Sequence, residues 1–314
     1  VYDNPEKYFD EVIEIADDIS VMRGGKLIDT VKNENVSKTE VAEMMIGKSL
    51  PTPPPRSTET KQNKILDLKN ITSETVDGRK FFTDVSFNVF GSEILGIAGV
   101  EGNGQKEVIE SIIGIDNIES GEIYFNGEKI NDKTTRERLD SGISFIPEDR
   151  QLQAMIMDMN LTNNVIIGRQ NIKKYKSKFA TVKTKNAISE SENIISLFDV
   201  KTPGTNTLAT ALSGGNQQKF VVGRELEDDP SLLIASQPTR GIDIGAQALI
   251  WEKLRESRDN GLGVLLISAD LEELIGLSDR IVVFYQGSLV TELSSDDVSP
   301  EDLGGYMTGL KKWS

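Results

Sequence analysis

Leu212 to Lys219 reads L-S-G-G-N-Q-Q-K and opens a helical pattern. The segment sets a serine and two glycines at the start of that helix, after the largely helical stretch that precedes it. Upstream, Gly99 to Glu107 reads G-V-E-G-N-G-Q-K-E, after the apolar segment Glu93 to Ala98 and before a second helical pattern from Gln105. Strand, glycine turn and helix in that order match a phosphate-binding loop of the pattern G-x-x-x-x-G-K-[ST]. Gly99, Gly102 and Gly104 supply the glycines, with Val100, Glu101 and Asn103 between them. Gln105 stands at the lysine position and Lys106 at the Ser/Thr position, so backbone donors are predicted without the usual charge and metal-directed hydroxyl.

The surrounding pattern predicts an α/β fold. Ile65 to Ile71 and Phe81 to Phe90 alternate as strands, and residues from about 150 to 211 read largely helical, with spaced apolar positions from Ile188 to Phe198. Two apolar strands follow, Ser231 to Ala235 and Gly263 to Ser268, separated by a helix over Ile244 to Asp259. Strands alternating with helices build a parallel core carrying a helical insertion.

The eight residues Leu212 to Lys219 resemble, over their full length, the signature motif of the ATP-binding-cassette superfamily. Asn216, after the two glycines, resembles the sugar and nucleoside importers within it. The resemblance implies a P-loop NTPase-like core with an antiparallel β subdomain and a helical subdomain. It also implies that Leu212, Ser213, Gly214, Gly215, Asn216 and Gln217 face the γ-phosphate of ATP bound on an opposite cassette. Leu232 to Ala246, L-L-I-A-S-Q-P-T-R-G-I-D-I-G-A, is similar to the family's strand ending in Asp-Glu, then Pro-Thr, then the next loop's Asp, here Asp243. Ser236 stands where the magnesium-directed Asp belongs and Gln237 where the water-activating Glu belongs; neither carries a charge for a cation or a base for water. In L-L-I-S-A-D-L-E-E, Leu265 to Glu273, the switch histidine position is Ala269. In F-I-P-E-D-R, Phe145 to Arg150, Glu148 replaces the family's Gln.

The resemblance therefore implies ATP bound weakly or without hydrolysis at the loop Gly99 to Glu107, no intact catalytic residue and no metal site here, and Mg2+ at the partner cassette's site. The motif set Q-P-T-R-G, P-E-D-R and S-G-G-N-Q-Q-K is most similar to the second cassette of nucleoside importer ATPases, themselves similar to the ribose/galactose type. Expected partners are a first cassette of the same polypeptide, transmembrane permease subunits and, indirectly, a solute-binding protein, at the cytoplasmic face of the plasma membrane. Two other readings stay open: a cassette protein of repair or translation without a transporter, and a non-enzymatic dimerisation module.

A shift of 262 positions aligns the first fifty residues with the last forty without a gap. Glu11, Ile13, Asp17, Ile19, Val21, Gly25 and Leu27 fall on Glu273, Ile275, Asp279, Ile281, Val283, Gly287 and Leu289. Val36, Ser37, Met45 and Gly47 fall on Val298, Ser299, Met307 and Gly309. The expected organisation is a first-cassette remnant over 1–49, a proline-rich linker over 50–63 and a second cassette over 64–314 whose helical subdomain covers about 150–225. Val1 to Tyr8 do not copy Gly263 to Asp270 and are read as a replaced end.

Composition narrows the function classes. The chain of 314 residues has neither cysteine nor histidine, which excludes thiolate and histidine catalysis and the commonest zinc sites. A net charge of −15 disfavours nucleic acid, since no Lys/Arg cluster is dense enough to offset it. No apolar run is long enough to span a bilayer, and no secretory signal opens the chain. Phe81 and Phe82 are candidates for base stacking, but alternating burial assigns both to core packing, and Trp251 and Trp313 are expected to be packing or surface residues. The run Glu225 to Asp229 is expected to be a solvated helix end.

Overall fold

The computed structural model of the chain describes residues 12–23, 25–33, 40, 41, 44, 63–170, 172–176 and 181–311. The proline-rich stretch 50–62, residues 1–8, the repeat matches at 36, 37, 45 and 47, and Trp313 lie outside the described residues. Two compact units emerge, one from residues 1–55, 156–220 and 239–252, the other from 56–155, 221–238 and 253–314.

The second unit holds two sheets. Strands β3 (Lys64–Ser73), β4 (Val85–Phe90), β6 (Ile118–Phe125) and β7 (Glu128–Lys129) make an antiparallel sheet of order β4-β3-β6-β7. The other sheet contains β5 (Glu93–Ala98), β8 (Ile143–Ile146), β9 (Leu232–Ser236), β10 (Gly263–Ile267), β11 (Arg280–Tyr285) and β12 (Ser288–Ser294), in the order β12-β11-β5-β10-β9-β8. All its pairings are parallel except β11 with β12. Every residue of β5 and β10 is buried, which is why both read as continuous apolar runs rather than alternating ones. Helix α1 (Gln105–Ile113) returns Val108, Ile109, Ile112 and Ile113 to the same core as Leu95, Ile97, Leu265 and Val282. The buried Arg138 of the short helix α2 (Thr135–Asp140) donates to the carbonyls of Ser111 and Ile112 at 2.6 and 2.9 Å, satisfying the C-terminus of α1.

In the first unit, β1 (Asp18–Arg23) and β2 (Lys26–Lys32) pair antiparallel around Ile19, Val21 and Val41. This hairpin copies β11–β12 at the offset of 262 in every register pair: Ile19 faces Val31 as Ile281 faces Leu293, and Val21 faces Asp29 as Val283 faces Thr291. Both hairpins slip register at one place, after Val21 and after Val283, and both turn at a glycine of φ +76°, Gly25 and Gly287. Buried Val41 stands at the position of buried Leu303. A bulge depends on local sequence and pairing together, and here it recurs at the same place in both hairpins.

Among the described residues, the stretch 150–211 is less helical than expected. They hold a π-type turn at Arg150–Ala154, the single turn α3 (Leu161–Asn164), one full helix α4 (Thr184–Leu197) and a 3-10 turn at Ala209–Ala211. Asn164 explains how that backbone is satisfied: its side chain accepts from the N–H of Ile156 and donates to the carbonyls of Ile156, Met159 and Asn160. A buried amide can stand in for helical hydrogen bonds, which periodicity does not reveal. The run after Glu225 is also partly corrected. Helix α5 (Gly214–Leu226) ends there, and Asp228 and Asp229 are exposed, but Glu225 is buried against Arg224 at 2.9 Å.

Candidate functional site

In parallel sheets, ligands bind beyond the carboxyl ends of the strands. Four motif segments of the second unit leave the sheet there: Gly99 follows β5, Ala269 lies just past β10, Ser236 ends β9 with Gln237 after it, and Glu148 lies two residues past β8. Since β5, β10, β9 and β8 are successive neighbours, the tertiary fold brings residues separated by up to 170 positions to one edge.

The glycine turn is shaped by contacts that only glycine permits. A Cβ on Gly104, whose φ is +104°, would lie 2.6 Å from the carbonyl oxygen of Phe81. Asn103 fastens the turn from above: its Oδ1 accepts the N–H of Gln286 at 2.9 Å and its carbonyl accepts the N–H of Gly287 at 3.1 Å. The β11–β12 turn thus buttresses the loop, a role of Asn103 that spacing alone does not disclose. The N–H of Asn103 points inward to the carbonyl of Val100 at 3.2 Å, so it is engaged within the loop.

Gln105 is 7% exposed, and its Nε2 donates to the carbonyl of Val100 at 3.2 Å. A Cβ on Gly99 would lie 2.1 Å from that Nε2, so the amide lies across the loop over Gly99. Lys106 turns away, is 69% exposed and pairs with Glu110 at 3.7 Å. The position one residue further along a helix points about 100° round the axis, which is why Lys106 cannot take the place of a lysine at 105. Burial pushes the Glu110 carboxyl above its ordinary range, with Lys106 opposing. Glu107 in the first turn of α1 is half-buried.

Ser236 is half-buried at the end of β9. Gln237 adopts left-handed backbone, φ +51°, at a cost of roughly 1–2 kcal/mol for a residue with a Cβ. Its N–H donates to the carbonyl of Ile267 at 2.7 Å, and its Oε1 accepts the N–H of Ala269 at 3.1 Å. Glu148 is exposed. The side-chain set on this edge, amides at 105 and 237, a hydroxyl at 236 and a methyl at 269, does not fit a divalent cation, which needs oxygen ligands with charge among them. Among the described residues no three Asp or Glu side chains come together as metal ligands.

Phe81 and Phe82 part ways. Phe82 is core at 1% exposure, as expected, whereas Phe81 is 40% exposed beside Gly104, which overturns its assignment to packing. The loop 81–84 precedes β4, so the alternation seen from Phe81 does not extend to it. Trp251 is partly buried.

The signature segment lies in the first unit. Ser213 is exposed, and its Oγ accepts from the side-chain amide of Asn216 at 2.9 Å and, capping α5, from the backbone N–H of Asn216 at 3.5 Å. Asn216 Oδ1 accepts the N–H of Lys201 at 2.8 Å. Gln217 is buried and donates to the carbonyls of Ala209 and Leu212 at 3.1 and 3.2 Å, which fixes the approach to the helix. Asp243 caps helix α6 (Ile244–Asp259), accepting the N–H of Ala246 at 3.0 Å. Its other oxygen lies 2.9 Å from where a Cβ on Gly215 would sit, so a larger residue at 215 would make the Asp243 side chain shift.

A family model described as ABC transporter matches residues 82–240. The guanosine import ATP-binding protein NupO of Bacillus subtilis (strain 168) is 38% identical over 295 residues, 94% of this chain and 58% of that protein. The ribose import ATP-binding protein RbsA of Clostridium tetani is 35% identical, covering 95% of this chain and 57% of that protein. The nucleoside import ATP-binding protein NupA of Lactococcus lactis subsp. cremoris is 34% identical, covering 96% and 59%. The chain thus spans just under three fifths of the length of these relatives. Among solved structures, a nucleotide-free ATP-binding cassette from an ABC transporter superposes with a TM-score of 0.66 at 22% identity, over 78% of this chain and 99% of that one. That likeness shows the cassette fold.

Proposed function

Since the chain belongs to the ABC transporter family, we propose that it is the second cassette, preceded by the tail of a first, of an import ATP-binding subunit that energises uptake of nucleosides or related simple sugars. Cassettes of this family bind ATP with magnesium. In this reading the chain's own phosphate loop is degenerate, and Ser213, Gly214 and Gly215 complete the nucleotide site of the first cassette.

The observation that carries the reading is an asymmetry between the two motif regions. The signature keeps its serine exposed, its helix capped and Gly215 against Asp243. The phosphate-loop edge keeps its backbone form yet lacks lysine, carboxylates and switch side chain together. Amides and a methyl group there can shape and occupy space, but they neither take a proton from water nor hold a cation. The remnant of a first cassette is supported by the hairpin repeated in register at β1–β2. Partner permease subunits, an indirectly coupled solute-binding protein and a peripheral place on the cytoplasmic face of the plasma membrane follow from the importer reading; no helix among the described residues is long and apolar enough to cross a membrane.

Similarity to a guanosine and a nucleoside import protein favours nucleosides; similarity to a ribose import protein supports the monosaccharide alternative. Uptake of labelled guanosine and ribose by cells with and without the gene tests both. Loss of guanosine uptake on deletion is the expected result, loss of ribose uptake alone selects the alternative, and unchanged uptake of both overturns the importer reading for these solutes.

A further inference from the structure

Between residues 169 and 185 the chain reads R-Q-N-I-K-K-Y-K-S-K-F-A-T-V-K-T-K, with seven basic residues and no acidic one. That is a fifth of all the Lys and Arg, concentrated in 17 residues of a chain whose net charge is −15. The nucleotide-site reading uses none of them, and their density corrects the expectation that no basic cluster stands out against the acidic total.

The described part of this segment is a fixed platform. Tyr175 is fully buried, and its carbonyl accepts the N–H of Lys183 at 2.7 Å. Lys176 bridges Val182 in antiparallel fashion, and the Asn186 side chain donates to the carbonyl of Lys174 at 2.6 Å. Lys174 pairs with the buried Glu190 of α4, so that lysine serves the anchor. Lys173, Lys176, Lys183 and Lys185 are exposed and enter none of the ion pairs found among the described residues. Lys183 precedes α4 and Lys185 lies in its first turn, where no acidic residue offsets them. Cations at that end oppose the helix dipole; Lys183 also donates from Nζ to the carbonyl of Lys173 at 2.9 Å, which holds the two lysines beside each other. Val182, 43% exposed, adds an apolar side chain among the cations.

We infer that this platform is a contact surface for anionic phospholipid headgroups. Charge within a Debye length of about 8 Å acts on a facing surface, while the acidic remainder of the molecule is screened beyond it. A local cluster of four to eight Lys/Arg beside a membrane is the pattern that attracts an anionic leaflet. The inference rests on the importer reading for its cellular setting, since a cassette docked on a permease is held at such a surface. A nucleic acid would meet the same cations, and the test separates the two.

The experiment is co-sedimentation of this chain with vesicles of phosphatidylcholine alone and of phosphatidylcholine with phosphatidylserine, at low and high salt. Binding to the anionic vesicles, weakened by salt and absent on the neutral ones, is expected. The variant K173Q/K176Q/K183Q/K185Q should lower partition on the order of a thousandfold. The corresponding four-fold Lys→Arg variant should retain it, with circular dichroism confirming that both fold. Equal binding to neutral and anionic vesicles, no binding to either, or binding indifferent to the glutamines overturns the proposal. So does single-stranded DNA that displaces the chain from vesicles and binds it more tightly at the same salt. No nucleotide or permease enters the assay, so a negative result leaves the importer reading standing, and a failed uptake test leaves this one standing.

Discussion

The backbone N–H of Ala269 donates to Oε1 of Gln237 across 3.1 Å, tying the residue after β9 to the residue at the switch position beyond β10. A second bond, from the N–H of Gln237 to the carbonyl of Ile267 at 2.7 Å, closes the clamp. Gln237 is therefore a structural tie between neighbouring strands. We expect this chain to release phosphate from ATP at the rate of a blank, and Gln237→Glu alone to leave that rate unchanged because Ser236 and Gln105 remain. A magnesium-dependent steady-state rate well above blank would refute this.

Gln105 predicts weak nucleotide binding that is insensitive to magnesium. A nucleotide must displace the amide from the Val100 carbonyl and meets no lysine in return. Gln105→Lys restores a charge-assisted bond of roughly 1.5–3 kcal/mol, or about one to two decades of affinity. Calorimetry with ATP, with and without magnesium, measures both effects; tight binding by the unaltered chain only when magnesium is present would contradict the prediction.

Ser213 is exposed at the start of α5, where a long cation would fill the space proposed for a γ-phosphate bound in trans. In the longer protein assembled with its permease, Ser213→Arg should abolish transport-coupled ATP hydrolysis while the circular dichroism spectrum stays unchanged. Full hydrolysis in the variant would remove the signature from the reaction.

At the other end of the sheet, Asp279 accepts from Arg258 at 3.1 Å and from the N–H of Ile94 at 2.8 Å, with both charged side chains 8% exposed. Asp279→Ala leaves a buried cation short of a partner and should cost about 3–5 kcal/mol. The urea midpoint reads this directly, and a change below the error of the fit would show the pair to be dispensable.

Glu110 supplies a pH prediction. Burial raises its folded pKa above the unfolded value, so in the window between the two the folded state binds more protons and stability falls as pH rises. Glu110→Gln should raise the Tm at neutral pH, with the difference vanishing below the ordinary carboxylate range. A variant less stable than the parent at neutral pH would show that the pairing with Lys106 outweighs burial.

Sequence by itself marked the buried strands β5, β9 and β10, the order of the motifs and the repeated spacing, because each is local. Continuous apolar runs mark β5 and β10, glycines mark turns, and the match at an offset of 262 positions is legible without the fold. It also set the residue types at the strand ends, Gln105, Ser236, Gln237 and Ala269. Tertiary structure alone decided where the remaining side chains go. Asn103 reads as a loop residue until the β11–β12 turn comes down on it, 183 positions away. Glu225 reads as solvated until Arg224 turns it inward, and Phe81 reads as buried until β4 starts four residues later. Periodicity describes the face a regular element would present, whereas a hydrogen bond between distant segments is set by strand order. Strand order follows from how the buried faces pack together, which no window along the chain contains.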